Sequence, residues 1–115
     1  MGYFTKYGDG AADLLPIADL YKTQVRELAR KLDLPKSIVE KPSSPRLWPG
    51  QMAEEELGAT YDEIDRILYL HVELGKEVDE IIDQTGIEAE KVRSIVERFR
   101  RSEHKRKLPP IAKVR

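Results

Sequence analysis

The sequence predicts a small, mostly helical unit in which one short N-terminal strand is followed by helices. A chain of 115 residues is long enough for one domain with a modest core. Charged residues make up 36% of it and apolar residues 40%, a balance that suits a solvated helical surface better than a membrane-embedded or disordered chain. From Leu20 onward the apolar residues recur mainly at spacings of three to four, punctuated by glycine and proline. No apolar run approaches the roughly 20 residues needed to span a bilayer, and no basic-then-apolar leader opens the chain, so the expected compartment is the cytoplasm. The chain has no cysteine, which removes disulfides, thiolate metal sites and cysteine nucleophiles. With only His71 and His104 as histidines, any metal must be held by oxygen ligands.

Residues 1–18 read as a strand and a loop. Gly2-Tyr3-Phe4-Thr5 is the aromatic strand, and Gly8-Asp9-Gly10 is the turn that follows. Residues 19–40 carry a helix capped by Asp19, with Leu20, Val25, Leu28, Ala29 and Leu32 on one face, Arg26, Glu27, Arg30 and Lys31 pointing away, and a stop before Pro35. Residues 41–52 hold three prolines, two serines and the single tryptophan; they cannot be regular helix, and they sit where a lid or binding loop would. Residues 53–101 are helical. Glu54 to Leu57 forms one turn stopped by Gly58, and Thr60 with Glu63 makes a capping box for a helix whose stripe is Ile64, Ile67, Leu68, His71 and Leu74. A second short helix carries Val78, Ile81 and Ile82 up to Thr85-Gly86, and a third carries Val92, Ile95, Val96 and Phe99. Helices this short must pack together to persist. Residues 102–115 read as a basic tail, extended from Leu108-Pro109-Pro110 onward.

Charge is unevenly placed. Residues 1–52 hold 8 basic and 6 acidic groups, residues 53–90 hold 2 and 13, and residues 91–115 hold 10 and 2. A positive end beside an acidic middle either attracts a phosphate-bearing ligand or neutralises its own neighbour. The turn Gly8-Asp9-Gly10, flanked by Lys6 and Lys22, lets backbone amides approach an anion, although taken by itself it reads better as a tight connection with solvated charges. His71, on an apolar stripe, reads as packing rather than as ligand or catalyst. Glu54, Glu55 and Glu56 are consecutive on a helix and point in different directions, so they do not share one metal; they read as a solvated helix start. Ser43 and Ser44 lack a base at recognisable spacing and suit hydrogen bonds to a ligand better than nucleophilic attack.

Read together, Gly2-Tyr3-Phe4-Thr5-Lys6-Tyr7-Gly8-Asp9-Gly10-Ala11-Ala12-Asp13 resembles the hallmark loop of ammonia-dependent NAD synthetases. The resemblance continues in order through Leu20-Tyr21-Lys22-Thr23, the loop from Lys41-Pro42-Ser43-Ser44 to Leu47-Trp48-Pro49-Gly50-Gln51 in its archaeal style, Glu55-Glu56-Leu57-Gly58, Tyr61-Asp62-Glu63-Ile64-Asp65 and Glu103-His104-Lys105-Arg106. It covers nearly the whole chain and matches the C-terminal part of the family. It implies a mostly α fragment of an α/β nucleotide-binding fold of the adenine nucleotide alpha hydrolase-like kind. It also implies a reaction in which ATP adenylates the nicotinate carboxylate of deamido-NAD and ammonia attacks the acyl-adenylate, with Mg2+ as the metal and a homodimer as the usual assembly. Position by position, Lys6, Asp13, His104 and Lys105 would contact deamido-NAD. Lys22 and Ser44 would contact ATP, with Ser43 as the alternative to Ser44.

The family's Ser-Gly-Gly-x-Asp-Ser loop, which cradles the ATP pyrophosphate, and its upstream magnesium-binding glutamate would both precede Met1, and neither is among these residues. The chain alone is therefore not expected to catalyse, and its strand has no sheet of its own to join. A competing reading makes the chain a helical interaction module or takes Val78 to Phe99 as a helix-turn-helix-like nucleic-acid-binding module with basic residues from Arg98 to Lys107. The acidic residues of its first helix, Glu77, Asp79, Glu80 and Asp83, would repel DNA and weigh against it.

Overall fold

The computed structural model describes residues 1–8, 11–107 and 111–114. Asp9 and Gly10 of the expected turn and the Leu108-Pro109-Pro110 segment lie outside these residues. The described elements are α1 (Lys22–Lys31), α2 (Lys36–Val39), α3 (Ala53–Leu57), α4 (Tyr61–Leu68) with a π-helical turn Tyr69–Glu73, α5 (Val78–Thr85), α6 (Ala89–Arg101) and α7 (Glu103–Arg106).

Local sequence sets most boundaries between residues 53 and 101. Thr60 Oγ1 accepts the Glu63 N–H at 3.3 Å and Glu63 Oε2 accepts the Thr60 N–H at 2.9 Å, so the capping box expected from sequence opens α4. These contacts and the Lys91 ammonium, 3.0 Å from Glu63 Oε1, hold the Glu63 carboxyl below its usual range, the Thr60 N–H contributing most. Gly58 and Gly86, both left-handed, close α3 and α5. The apolar stripes of α4, α5 and α6 meet in one cluster, with Ile67, Ile81 and Val92 fully buried. Each such side chain contributes about 1.5–3 kcal/mol of burial.

The stripe predicted for α4 fails after Leu68. The Leu74 N–H bonds to the Tyr69 carbonyl, five residues back, at 3.2 Å; this wider turn shifts the helix phase by one residue. Leu70 is therefore buried while Leu74 is 51% exposed. His71 is half-buried, donates Nδ1–H to the Lys76 carbonyl at 3.0 Å and meets Phe99 edge-on at 6.1 Å, which is the packing role expected of it. Glu54 and Glu56 are not merely solvated, however. Glu54 Oε1 accepts the Tyr61 N–H at 2.7 Å and Glu56 accepts from Gln51 and Tyr3, so the two carboxylates serve separate partners.

Four other expectations change. Asp19 does not cap the first helix: Tyr21 is the N-cap and α1 starts at Lys22. Its first-turn donors are met by Gln24 Oε1, which accepts the Tyr21 N–H at 2.8 Å, and by Asp65 Oδ2, which accepts the Thr23 N–H at 2.7 Å. No residue of α1 is buried; Leu28 and Leu32 are exposed, whereas Arg26, expected to point away, lies 5.5 Å from the Tyr61 ring centroid. The tail does not lose helix at Ser102, because α7 adds one turn, with Glu103 and Lys107 paired at 2.6 Å.

The expected strand at Gly2–Thr5 is the fourth correction, since no strand occurs among the described residues. A strand needs a neighbour to complete its ladder; here the Gly2 and Phe4 carbonyls accept from the Lys105 ammonium at 2.8 and 2.7 Å instead. Gly2 sits at φ +65, and a Cβ there would meet Ser102 Cβ at 2.3 Å. Gly2→Ala should therefore weaken docking of this segment by at least about 1 kcal/mol from left-handed strain alone. Amide shifts of Ser102 and Lys105 in a 1H–15N spectrum should move in the variant; unchanged shifts would show that the segment does not rest there.

Candidate functional site

A cleft of about 730 Å³ opens between the N-terminal segment, the irregular loop of residues 41–51 and the first turns of α1 and α4. Lys22, Ser44, Trp48, Tyr61, Arg98 and Lys105 stand on its walls. The loop is irregular as expected, and a buried side chain rather than main-chain ladders holds it. Gln51, 5% exposed, accepts the Leu47 N–H on Oε1 at 2.9 Å and donates through Nε2 to Glu56 Oε1 at 2.6 Å. The Tyr3 hydroxyl donates to the other Glu56 oxygen at 2.8 Å, and Arg98 donates to the Glu56 carbonyl at 3.3 Å. This network ties loop, N-terminal segment, α3 and α6 into one floor, with its buried polar groups paired as burial demands.

Three cations, Lys22, Arg98 and Lys105, face a single carboxylate, Glu56, in this cleft. That excess suits an anionic ligand, and the walls supply aromatic surface in Tyr61 and Trp48. The Lys22 ammonium lies 6.0 Å from the Tyr61 ring centroid. Beside it, the Tyr21 hydroxyl donates to Glu73 Oε1 at 3.2 Å; desolvation first, then the Glu73 charge, pushes that phenol up to about 12, so it stays a donor at neutral pH.

Of the residues singled out from sequence, the cleft gathers Lys22, Ser44 and Lys105. Ser44 Oγ accepts the Arg46 N–H at 3.1 Å, while Ser43 also lines the cleft and offers its carbonyl to the Ala53 N–H at 3.0 Å. Lys105 reaches the cleft with its ammonium bonded to the Gly2 and Phe4 carbonyls. Lys6, Asp13 and His104 do not line it. Lys6 Nζ lies 5.4 Å from the Tyr7 ring centroid, and Asp13 and His104 are exposed. Sequence reasoning places Arg98 only in the basic run of the nucleic-acid reading, and Gln51, Glu56, Tyr61 and Asp65 only within motifs, with no role in a cleft. A glutamine ending a proline-rich loop and an arginine one turn before Ser102 are weak signals, because only folding across 42 residues brings Arg98 to Glu56.

A magnesium ion finds no cage here. Both Glu56 oxygens already accept from neutral donors, and no group of three ligating side chains occurs among the described residues, so no step is assigned through a metal on this chain.

The NAD synthase family model matches residues 1–109. The NH(3)-dependent NAD(+) synthetase of Hyperthermus butylicus is 60% identical over 110 residues, covering 96% of this chain and 40% of the relative. That of Archaeoglobus fulgidus is 52% identical over 115 residues, covering 100% of this chain and 42% of the relative. Among solved structures, an NMN synthetase from Francisella tularensis superposes with a TM-score of 0.74 at 44% identity, over 96% of this chain and 41% of that one. The chain thus spans about two-fifths of the length of these relatives. A family match over nearly every residue, with identities of this size, means that the chain belongs to the NAD synthase family.

Proposed function

We propose that this chain forms the C-terminal part of a cytoplasmic ammonia-dependent NAD synthetase, an ATP-dependent carbon–nitrogen ligase built on an α/β nucleotide-binding fold. In that reaction the nicotinate carboxylate of deamido-NAD attacks the α-phosphorus of ATP and pyrophosphate leaves. Ammonia then adds to the acyl carbon, a proton is lost and AMP departs. The observation that carries this reading is the single cleft that joins Lys22, Ser44 and Lys105 from three separated motifs and holds more cations than carboxylates. Lys22 and Ser44 would hold ATP. Lys105, with Lys6, Asp13 and His104 from neighbouring segments, would serve the dinucleotide. The point charges of the lysines oppose the negative charge that develops on pyrophosphate.

The apolar side of α1 and α2, where Leu28, Leu32 and Ile38 are exposed, offers a surface for a second copy in a homodimer or for the rest of the family fold. No described helix is long and apolar enough to cross a membrane. The nucleic-acid reading gains nothing from the fold: α5, which would approach the phosphates, exposes Asp79, Glu80 and Asp83.

The test joins this chain to the remaining portion of the Archaeoglobus relative and measures amide formation. Lys22→Ala and Lys6→Ala should each remove a charge-assisted contact of about 1.5–3 kcal/mol, lowering kcat/KM roughly ten- to a hundredfold. Arg30→Ala, on exposed α1 surface, should change little. Because a 44% identical relative is described as an NMN synthetase, the mononucleotide acid is assayed beside deamido-NAD, and a higher kcat/KM on it would reassign the substrate. Full activity in both lysine variants would remove the site assignment.

A further inference from the structure

We propose that Asp65 and Glu73 are positioning residues that hold Lys22 at the mouth of the cleft, an inference that rests on the reading of Lys22 as an ATP contact. Lys22 is the first residue of α1, the part of a helix most prone to fray. From within the helix only the Gln24 side chain opposes this, accepting the Tyr21 N–H at 2.8 Å. None of its ten residues is buried, and its first turn contains no acidic residue to complement the exposed N–H groups.

The other anchors come from elsewhere and fall on the two residues that flank Lys22. On one side the Tyr21 hydroxyl donates to Glu73 Oε1 at 3.2 Å; on the other the Thr23 N–H donates to Asp65 Oδ2 at 2.7 Å. Both carboxylates belong to one continuous helical run, Asp65 in α4 and Glu73 in the π-helical turn that extends it. Asp65 is 9% exposed, and burying a carboxylate is unfavourable unless it is well bonded. Its bond goes to a main-chain donor of α1. Tyr61, the first residue of α4, places its ring 6.0 Å from the Lys22 ammonium. The run that anchors the Tyr21 side chain on one side of Lys22 and the Thr23 backbone on the other therefore also supplies the ring near which its ammonium lies. The carboxylates bond the neighbours of Lys22 rather than its ammonium, and Lys22 lines both the cleft and the adjoining cavity that Asp65 and Glu73 border.

The test uses the 115-residue chain, ATP as probe, and NMR of the Lys22 side chain, whose methylenes should be shifted upfield by the Tyr61 ring. Asp65→Ala should move these signals toward free-lysine values and weaken ATP binding about three- to tenfold, the range of a lost helix cap. Asp65→Asn, which keeps an acceptor for the Thr23 N–H, should stay within about twofold of the parent chain. Tyr21→Phe should give a smaller loss in the same direction. In a Lys22→Ala background, Asp65→Ala should cost no further affinity, whereas a general loss of structure would weaken binding in both backgrounds. Circular dichroism on each variant reports whether the fold persists, and Asp65→Asn and Tyr21→Phe keep the question decidable where Asp65→Ala unfolds. If Lys22→Ala weakens ATP binding but the Asp65 and Tyr21 variants leave both affinity and the Lys22 signals unchanged, the positioning role is overturned while the ATP reading survives. If Lys22→Ala leaves ATP binding unchanged, both fall.

Discussion

The 115-residue chain alone is expected to form no measurable NAD from deamido-NAD, ATP, magnesium and ammonium, and to gain activity when the remaining portion of an archaeal relative is supplied. The reason is chemical rather than a matter of size. In the reaction proposed for it, adenylation transfers charge onto departing pyrophosphate, and the cleft would oppose that charge with three cations, Lys22, Arg98 and Lys105. One of them, Lys105, already has two of its donors on main-chain carbonyls. The backbone amides of a Ser-Gly-Gly-x-Asp-Ser loop do not occur in these residues, and neither does a carboxylate cage for the metal among the described ones. Removing a single preorganised donor from a site of developing charge costs about a hundred- to a thousandfold in rate. Removing a whole cradle should therefore place the isolated chain at least about a thousandfold below the reconstituted enzyme. A coupled assay for NAD, with each half alone and the halves together, decides the matter. Turnover by the isolated chain within tenfold of the mixture would mean that the phosphate site lies in these residues after all.

The second large effect concerns stability. Ile67 and Ile81 are each 0% exposed and sit where α4, α5 and α6 converge. Truncation of either to alanine removes buried methylenes and leaves a cavity that short, mutually braced helices refill only in part, a loss of about 2–5 kcal/mol. Domains of this size have only about 5–15 kcal/mol in total, so Ile67→Ala or Ile81→Ala should lower Tm by roughly 10–25 °C. Ile38→Ala, at a side chain 62% exposed, should stay within about 0.5 kcal/mol. Urea titrations of all three separate the cases. A loss below about 1 kcal/mol at both buried positions would show that folding does not depend on this cluster. A loss at Ile38 as large as at Ile67 would show that the apolar side of α1 and α2 is covered in solution.

Much of the helical region was legible in the sequence because its determinants are local. The capping box needs only Thr60 and Glu63, three residues apart, and the chain forms it. The α5 and α6 stripes follow from residue spacing, and Ile81, Val92, Ile95 and Val96 are the side chains they bury. The family too was readable, since ordered motifs survive in the linear sequence, and the match over residues 1–109 agrees with them. What the tertiary structure alone decided depends on contacts between distant residues. Local sequence points to Asp19 as the start of the first helix, whereas α1 begins at Lys22, its donor at Thr23 satisfied by Asp65, 42 residues away. The residues of the N-terminal segment favour a strand. Strand is a property of a pair, though, and across 103 and 101 residues its carbonyls meet the Lys105 ammonium instead. The stripe of α4 went out of phase at a π-helical turn that spacing does not reveal. The cleft is the plainest case: motif order placed Lys22, Ser44 and Lys105 in one list with Lys6, Asp13 and His104, but only packing separates the three on its walls from the three outside. Local hydrogen bonds and periodicity are encoded residue by residue, whereas the meeting of side chains in a site is set by how short helices close on one another.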